Sequence, residues 1–283
     1  MPKRLAALGV RYLLVRSAGH DNVDLPTAQR LGLRVATVPH YSPFAIAEHA
    51  LALMLALNRH LRQANAQVRR ADFRLDNLVG FDLHGKTVGI IGCGTIGGTL
   101  ARLLHGFDCR LLGHDVAARR GAEPALRPRI RAPGCALRTV RRGFGACPAH
   151  ARHPPPARCP AAGQAEAGRH AHQHRPGALL DTAAALAALD SGQLSYLGLD
   201  VYEFEKGLFF NDHSQPPPRD ELLSRLLSHP NVLATGHQGF LTRDALTSIA
   251  ATSLETLDCW LAGRPTPNEL LAPPVAAAEL AAR

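Results

Sequence analysis

Short apolar runs alternate with stretches of helical period along most of this chain, the pattern of a parallel sheet covered by helices. Runs at 10–15 and 34–38 predict two strands, with a short helix over 26–31 between them. After the Pro- and Ser-punctuated residues 39–43, Ile46, Ala50, Leu53, Leu57 and Leu61 keep a helical period, which predicts one long helix over 44–69. Its apolar stripe packs either into a core or against a second subunit. Residues 86–91 form a β-branched run suited to a buried parallel strand. Ile96, Leu100, Leu103 and Leu104 then recur at helical spacing, and 109–113 reads as a second strand. Beyond Gly177 the pattern resumes, with a helix over 182–189 and strands over 196–201 and 232–235.

Between the strand at 86–91 and its helix stand Gly92, Gly94 and Gly97, with Thr95 and Ile96 opening the helix. In a dinucleotide site the first glycine makes the turn, the second lets backbone approach a pyrophosphate, and the third lets helix pack on strand. The phosphates sit on the helix N-terminus, where unpaired N–H groups and the dipole favour negative charge. Asp115 follows the second strand, about twenty residues beyond the glycines, where a carboxylate accepts ribose hydroxyls and repels a 2′-phosphate. The cofactor expected is therefore NAD rather than NADP.

The net charge of +9 invites a nucleic-acid reading until its distribution is examined. Residues 117–176 hold twelve arginines against Glu123 and Glu166, a local charge of +10, so the rest of the chain carries −1. The basicity belongs to one segment, and no specific nucleic-acid partner is expected. Stretch 45–57 is the longest apolar run, carries Glu48 and His49, and is too short to span a bilayer. No charged-then-apolar leader opens the chain, and the six cysteines show no regular pairing, which together predict a cytoplasmic location.

Several separated stretches share one resemblance. RSAGHDNVDLPTAQRLGLRV, VPHYSPFAIAEHALALMLALNR, the glycine stretch, GALLDTAAALAALDSGQLSYLGLDVYEFEKGLFF and LSHPNVLATGHQGFLTRDALTSIAATSLETL resemble, in order and interval, the D-isomer-specific 2-hydroxyacid dehydrogenases, closest to the fermentative D-lactate branch. The resemblance implies a doubly wound parallel α/β sheet, a Rossmann NAD domain over 44–237 including an interdomain helix over 44–69. It also implies a flavodoxin-like substrate domain, represented by 1–43 and 238–283. Few residues precede the first strand here, so that domain is expected to be truncated and weakly stable. By the same resemblance His237 and Glu205 are the acid–base pair, with Glu203 the competitor of Glu205. Asp200 contacts the nicotinamide amide, Ala18 and Gly19 offer N–H groups to a substrate carboxylate, and Tyr41 closes over it. The partner implied is a small 2-oxo or 2-hydroxy acid, and the intact family implies a homo-oligomer, most simply a dimer.

The middle of the chain departs from this pattern. Residues 117–176 carry nine prolines and five histidines, show no period of strand or helix, and are expected to be disordered. The alternative to a solvated insertion is a reading-frame error. Permitted codons for Arg141 to Pro155, read one nucleotide later, give DVVSAHAPLTRATRH, which resembles the family's strand and HxPLT loop. His172-Gln173-His174 shifted in the same direction gives Ile-Asn-Thr, which resembles the strand before the family's catalytic arginine. The frame then returns near Pro176, leaving Arg175 one position from where the arginine that clamps a substrate carboxylate is expected. The zinc-like donors Cys147, His150, His153 and Cys159, and the tract His170, His172, His174, lack a hydrophobic scaffold, so no metal site is expected. The rival readings are a cofactor-binding remnant without catalysis and a basic metal- or polyanion-binding module.

Overall fold

A computed structural model describes residues 1–20, 22–115, 129–130, 143–147, 169–173, 180–216 and 218–270. In chain order the elements are α1 (Pro2–Ala7), β1 (Tyr12–Val15), α2 (Leu25–Arg30), β2 (Arg34–Thr37), α3 (Pro43–Asn58), α4 (Leu61–Val68), β3 (Thr87–Ile91), α5 (Thr95–His105) and β4 (Arg110–His114). Then follow β5 (Arg129–Ile130), β6 (Gly143–Cys147), β7 (Arg169–Gln173), α6 (Thr182–Asp190), β8 (Leu194–Leu199), α7 (Glu221–Ser228), β9 (Val232–Ala234) and α8 (Arg243–Leu261). They form two units, Met1–Ser42 with Leu241–Arg283, and Pro43–Phe240.

In the first unit β1 and β2 pair in parallel, with Tyr12 opposite Arg34 and Val15 opposite Thr37. Asp24 starts α2 by accepting the Thr27 N–H at 3.0 Å, and this helix buries Ala28 against Val23, Leu33 and Val35. The chain after α8 covers β2, where Ala36 pairs antiparallel with Glu269. The Glu269 carboxylate receives Arg34 Nε at 2.8 Å, Arg34 Nη2 at 2.7 Å and Trp260 Nε1 at 3.0 Å. Trp260 in turn stacks on Tyr12 with ring centroids 5.2 Å apart. The carboxylate thus ties the C-terminal segment to the Arg34 side chain while its backbone pairs with β2, leaving less open edge for pairing with another chain.

The second unit is built on a parallel sheet of seven described strands in the order β5-β4-β3-β6-β7-β8-β9. The chain moves outward from β3 to β5, then returns to place β6 on the other side of β3. That reversal is the topological switch point of a doubly wound sheet, at whose C-terminal edge ligands bind. One core surrounds Val88 and Ile90 of β3, filled by Ala47, Ala50 and Met54 of α3 and by Leu100, Ala101 and Leu104 of α5. A second surrounds Leu197, Leu199 and Val232, filled by Ala185, Leu186 and Leu189 of α6 and by Leu223 and Leu226 of α7. Each fully buried leucine contributes about 1.5–3 kcal/mol of transfer free energy.

Two expectations are corrected. The long helix over 44–69 is two helices, because His60 adopts a left-handed conformation (φ 50°) between α3 and α4. The apolar period runs through this point, but Asn58 at the end of α3 is pinned. Its Nδ2 donates to the Phe81 carbonyl at 2.6 Å and its Oδ1 accepts the Phe81 N–H at 3.0 Å. Gly80 lies against the Asn58 carbonyl so closely that a Cβ would collide with it. Nor is all of 117–176 without ordered elements, since β5, β6 and β7 fall inside it and belong to the main sheet. A parallel ladder is made by backbone N–H and C=O groups, so β3 and β8, both rich in buried apolar residues, template strands in a stretch whose side chains carry no strand period.

Candidate active site

The glycine turn is held by the neighbouring strand β4. Gly92 has φ +90°, accessible without strain only to glycine, and its N–H donates to the His114 carbonyl at 2.7 Å. Gly94 is the N-cap of α5 and supplies no side-chain cap, so the first-turn amides of Thr95, Ile96 and Gly97 are not consumed by a capping side chain. Asp115, just past β4, accepts the Cys93 N–H on Oδ2 at 2.8 Å, which ties the acidic residue to the turn. Burial, and then the Asp115 charge, push the Cys93 thiol up to about 11, so this cysteine is a packed neutral group. A tight glycine turn, a helix start without a side-chain cap and a carboxylate at the next strand end suit the pyrophosphate and ribose of a dinucleotide.

The other half of the site lies past β8 and β9. His237 follows β9 in a left-handed conformation (φ 55°), and its N–H donates to the Asp200 carbonyl at 2.7 Å. Its Nδ1 meets Glu205 Oε1 at 3.0 Å, while the second Glu205 oxygen accepts the Tyr202 N–H at 3.3 Å. With Nδ1 engaged, Nε2 is the ring nitrogen left to face a substrate. Glu203, the competing carboxylate, instead accepts the Thr182 N–H at 3.0 Å at the start of α6. Phe210, itself at φ 65°, sets its ring 5.6 Å from the imidazole of His237 and forms an apolar wall.

Asp200 is 3% exposed and its carboxylate is surrounded by donors. Oδ1 accepts from the Thr235 hydroxyl and from the Gln238 N–H at 2.9 Å, and Oδ2 accepts the Gly239 N–H at 2.7 Å. His49, from α3, places Nε2 3.4 Å from Oδ1 and 2.9 Å from Thr235 Oγ1. Burial would raise this carboxyl, but the bonds from His49, Thr235, Gly239 and Gln238 outweigh it and hold the group at about 2. Asp200, expected only as a cofactor contact, is thus also the anchor of the turn that carries His237.

Ala18 and Gly19 lie in the turn after β1, where the Ser17 hydroxyl donates to the Gly19 carbonyl at 2.8 Å, and Tyr41 follows β2; all three belong to the first unit. Arg175 lies outside the described residues, as do His150, His153, Cys159 and His174. Among the described residues no group of three His, Cys, Asp or Glu side chains could hold a metal, and no helix is long and apolar enough to cross a membrane. His49 and Thr235 were not anticipated as site residues. The one available signal was an ionisable histidine inside the longest apolar run.

Comparison with known proteins agrees with this geometry. The family model described as D-isomer specific 2-hydroxyacid dehydrogenase, NAD binding domain, matches residues 51–131 and 176–239, running into the Arg/Pro-rich segment as far as residue 131 and resuming at its end. A 2-hydroxyacid dehydrogenase homolog of Haemophilus influenzae is 39% identical over 274 residues, covering 95% of this chain and 81% of the relative. The D-lactate dehydrogenase of Escherichia coli is 40% identical over 268 residues, covering 93% and 80%. Among solved structures, the pyruvate reductase of Chlamydomonas reinhardtii superposes with a TM-score of 0.86 at 37% identity, covering 94% of this chain and 80% of that one. The glycine turn with Asp115 beside it, the parallel sheet that reverses at β3 and these relatives lead to one conclusion: the chain belongs to the D-isomer specific 2-hydroxyacid dehydrogenases, enzymes that use NAD.

Proposed function

We propose that the chemistry built into this chain is the interconversion of pyruvate and D-lactate, with His237 as proton donor and acceptor and Glu205 as its orienting partner. The observation that carries the reading is the His237 Nδ1 to Glu205 Oε1 contact of 3.0 Å at the C-terminal edge of the sheet. NAD, when bound, supplies or receives the hydride. Gly92, Gly94, Thr95, Ile96 and Gly97 hold its pyrophosphate and Asp115 its ribose. Asp200 stands at the nicotinamide end. His237 gives its Nε2 proton to the carbonyl oxygen of the 2-oxo acid during reduction and takes it back in the reverse direction. Glu205 holds the ring so that Nε2 faces the substrate throughout. Ala18 and Gly19 receive the substrate carboxylate and Tyr41 covers it, which assigns 1–43 and 238–283 to substrate and 44–237 to cofactor. The unit operates in the cytoplasm as a homo-oligomer, without membrane or specific nucleic-acid partners.

The same reading makes turnover by this particular chain small. A 2-oxo acid needs a bidentate guanidinium on its carboxylate, and the only candidate near the expected position is Arg175, one residue out of register beside Pro176. Residues 117–176 are read as frame-shifted. Beyond residue 131 support comes from the family match stopping there and resuming at 176, and from β6 and β7 falling where the shifted reading yields family strands. The experiment is a pair of titrations: NADH binding by fluorescence, and loss of NADH absorbance with pyruvate. Binding with slow turnover is expected, and restoring the frame over 117–176 should raise turnover by roughly 10²-fold or more, the scale of one lost transition-state contact. Absence of NADH binding refutes the functional reading, and brisk turnover by the unaltered chain refutes the impairment.

A further inference from the structure

The turn from Thr235 to Gly239 carries His237 in a conformation that only its surroundings can maintain, because φ 55° is uncommon for a residue with a Cβ. Asp200 holds the middle and far end of this turn through its carbonyl and both carboxylate oxygens. His49 touches the same turn from a different element, α3. Its Nε2 lies 2.9 Å from Thr235 Oγ1, two residues before His237. Its Cδ2 lies where a Cβ on Gly239, two residues after His237, would approach to 3.3 Å, while Asp200 Oδ2 would stand 2.8 Å from that Cβ. The proton inventory fixes the direction of the first contact: the Thr235 hydroxyl has one proton and gives it to Asp200 Oδ1, so His49 Nε2–H must donate to Thr235 Oγ1.

We propose that His49 is a positioning residue that bonds the Thr235 end of the Thr235–Gly239 turn, lies beside Gly239 at the other end, and so holds His237 against Glu205. The inference rests on the reading of His237 as the proton donor. Its physical content is a link between α3 and the catalytic turn. The side chain of His49 is 18% exposed and that of Asp200 4%, so water does not readily replace the lost donor when His49 is removed. Gly239 is required because any side chain there would displace either the carboxylate or the imidazole.

Amide hydrogen exchange of the full-length protein tests this without requiring turnover. In His49→Leu, the amides of His237, Gln238 and Gly239 should exchange roughly tenfold faster or more, while those of Thr87–Ile91 keep their rates. His49→Gln, which returns an N–H donor at similar reach, should bring the turn back to within about threefold of the parent. If His49→Leu does not fold, His49→Phe keeps a ring in place, removes the donor without touching the Thr235–Asp200 bond, and should loosen the same three amides. Unchanged exchange at 237–239, an equal rise in β3, or no recovery with Gln overturns the proposal. An NADH titration on the parent protein is read separately: its failure removes the functional reading and leaves the exchange result standing.

Discussion

Replacing Asp200 by asparagine isolates the largest buried charge in the candidate site. In the parent, the carboxyl is held at about 2 against a reference of 3.8. At ~1.4 kcal/mol per unit of pKa, the ionised group contributes about 2 kcal/mol to folding at neutral pH. The sign follows from the depressed folded value: the contribution is complete above the unfolded pKa and is lost as pH falls toward 2. By pH 3 roughly half of it remains. In the variant one oxygen becomes an NH₂ group that faces either the Gly239 N–H or the Gln238 N–H and Thr235 hydroxyl, so a buried donor goes unsatisfied at a further cost of about 1–3 kcal/mol that does not titrate. Urea denaturation followed by circular dichroism should therefore show a deficit of about 3–5 kcal/mol at pH 7 that narrows by about 1 kcal/mol at pH 3. A gap of equal size at both pH values would mean that the Asp200 charge is not what the hydrogen bonds stabilise.

Other outcomes follow from single contacts. Asp115→Ala should weaken NADH binding about tenfold or more in a fluorescence titration and reduce the preference over NADPH, because the ribose acceptor is lost with its negative charge. Gly239→Ala should lower the thermal midpoint by several degrees, since its Cβ would stand 2.8 Å from Asp200 Oδ2 and overpacking of this kind costs about 1–3 kcal/mol. Asn58→Leu removes both bonds to the Phe81 backbone and should cost about 1–3 kcal/mol in urea, at roughly 0.5–1.5 kcal/mol for each bond. A loss below half a kcal/mol there would show that α3 ends at Asn58 for another reason.

Local chemistry made much of this protein legible in advance. Strand, glycine turn, helix and Asp115 are consecutive in sequence, so periodicity and the demand for positive φ at Gly92 announce them without tertiary information. His237 and Glu205 were readable from a resemblance carried by two separated stretches, although only the fold brings them to 3.0 Å and gives Glu203 to Thr182 instead. The helices α7 and α8 drew no expectation, despite Asp220 capping Leu223 at 2.9 Å and Thr242 capping Ala245 at 3.2 Å.

What the sequence alone determined is therefore the family, the cofactor turn and the identity of the chemical groups, because each resides within a short run of residues. The tertiary structure decided three things that no local pattern contains. It broke an unbroken apolar period at His60, because Asn58 finds its partner at Phe81 across a loop. It drew β5, β6 and β7 into the sheet, because backbone pairing with neighbouring strands does not consult side-chain period. And it joined His49 to Thr235, 186 residues away, because only packing α3 against the sheet brings an imidazole from the middle of an apolar helix to the turn that carries His237.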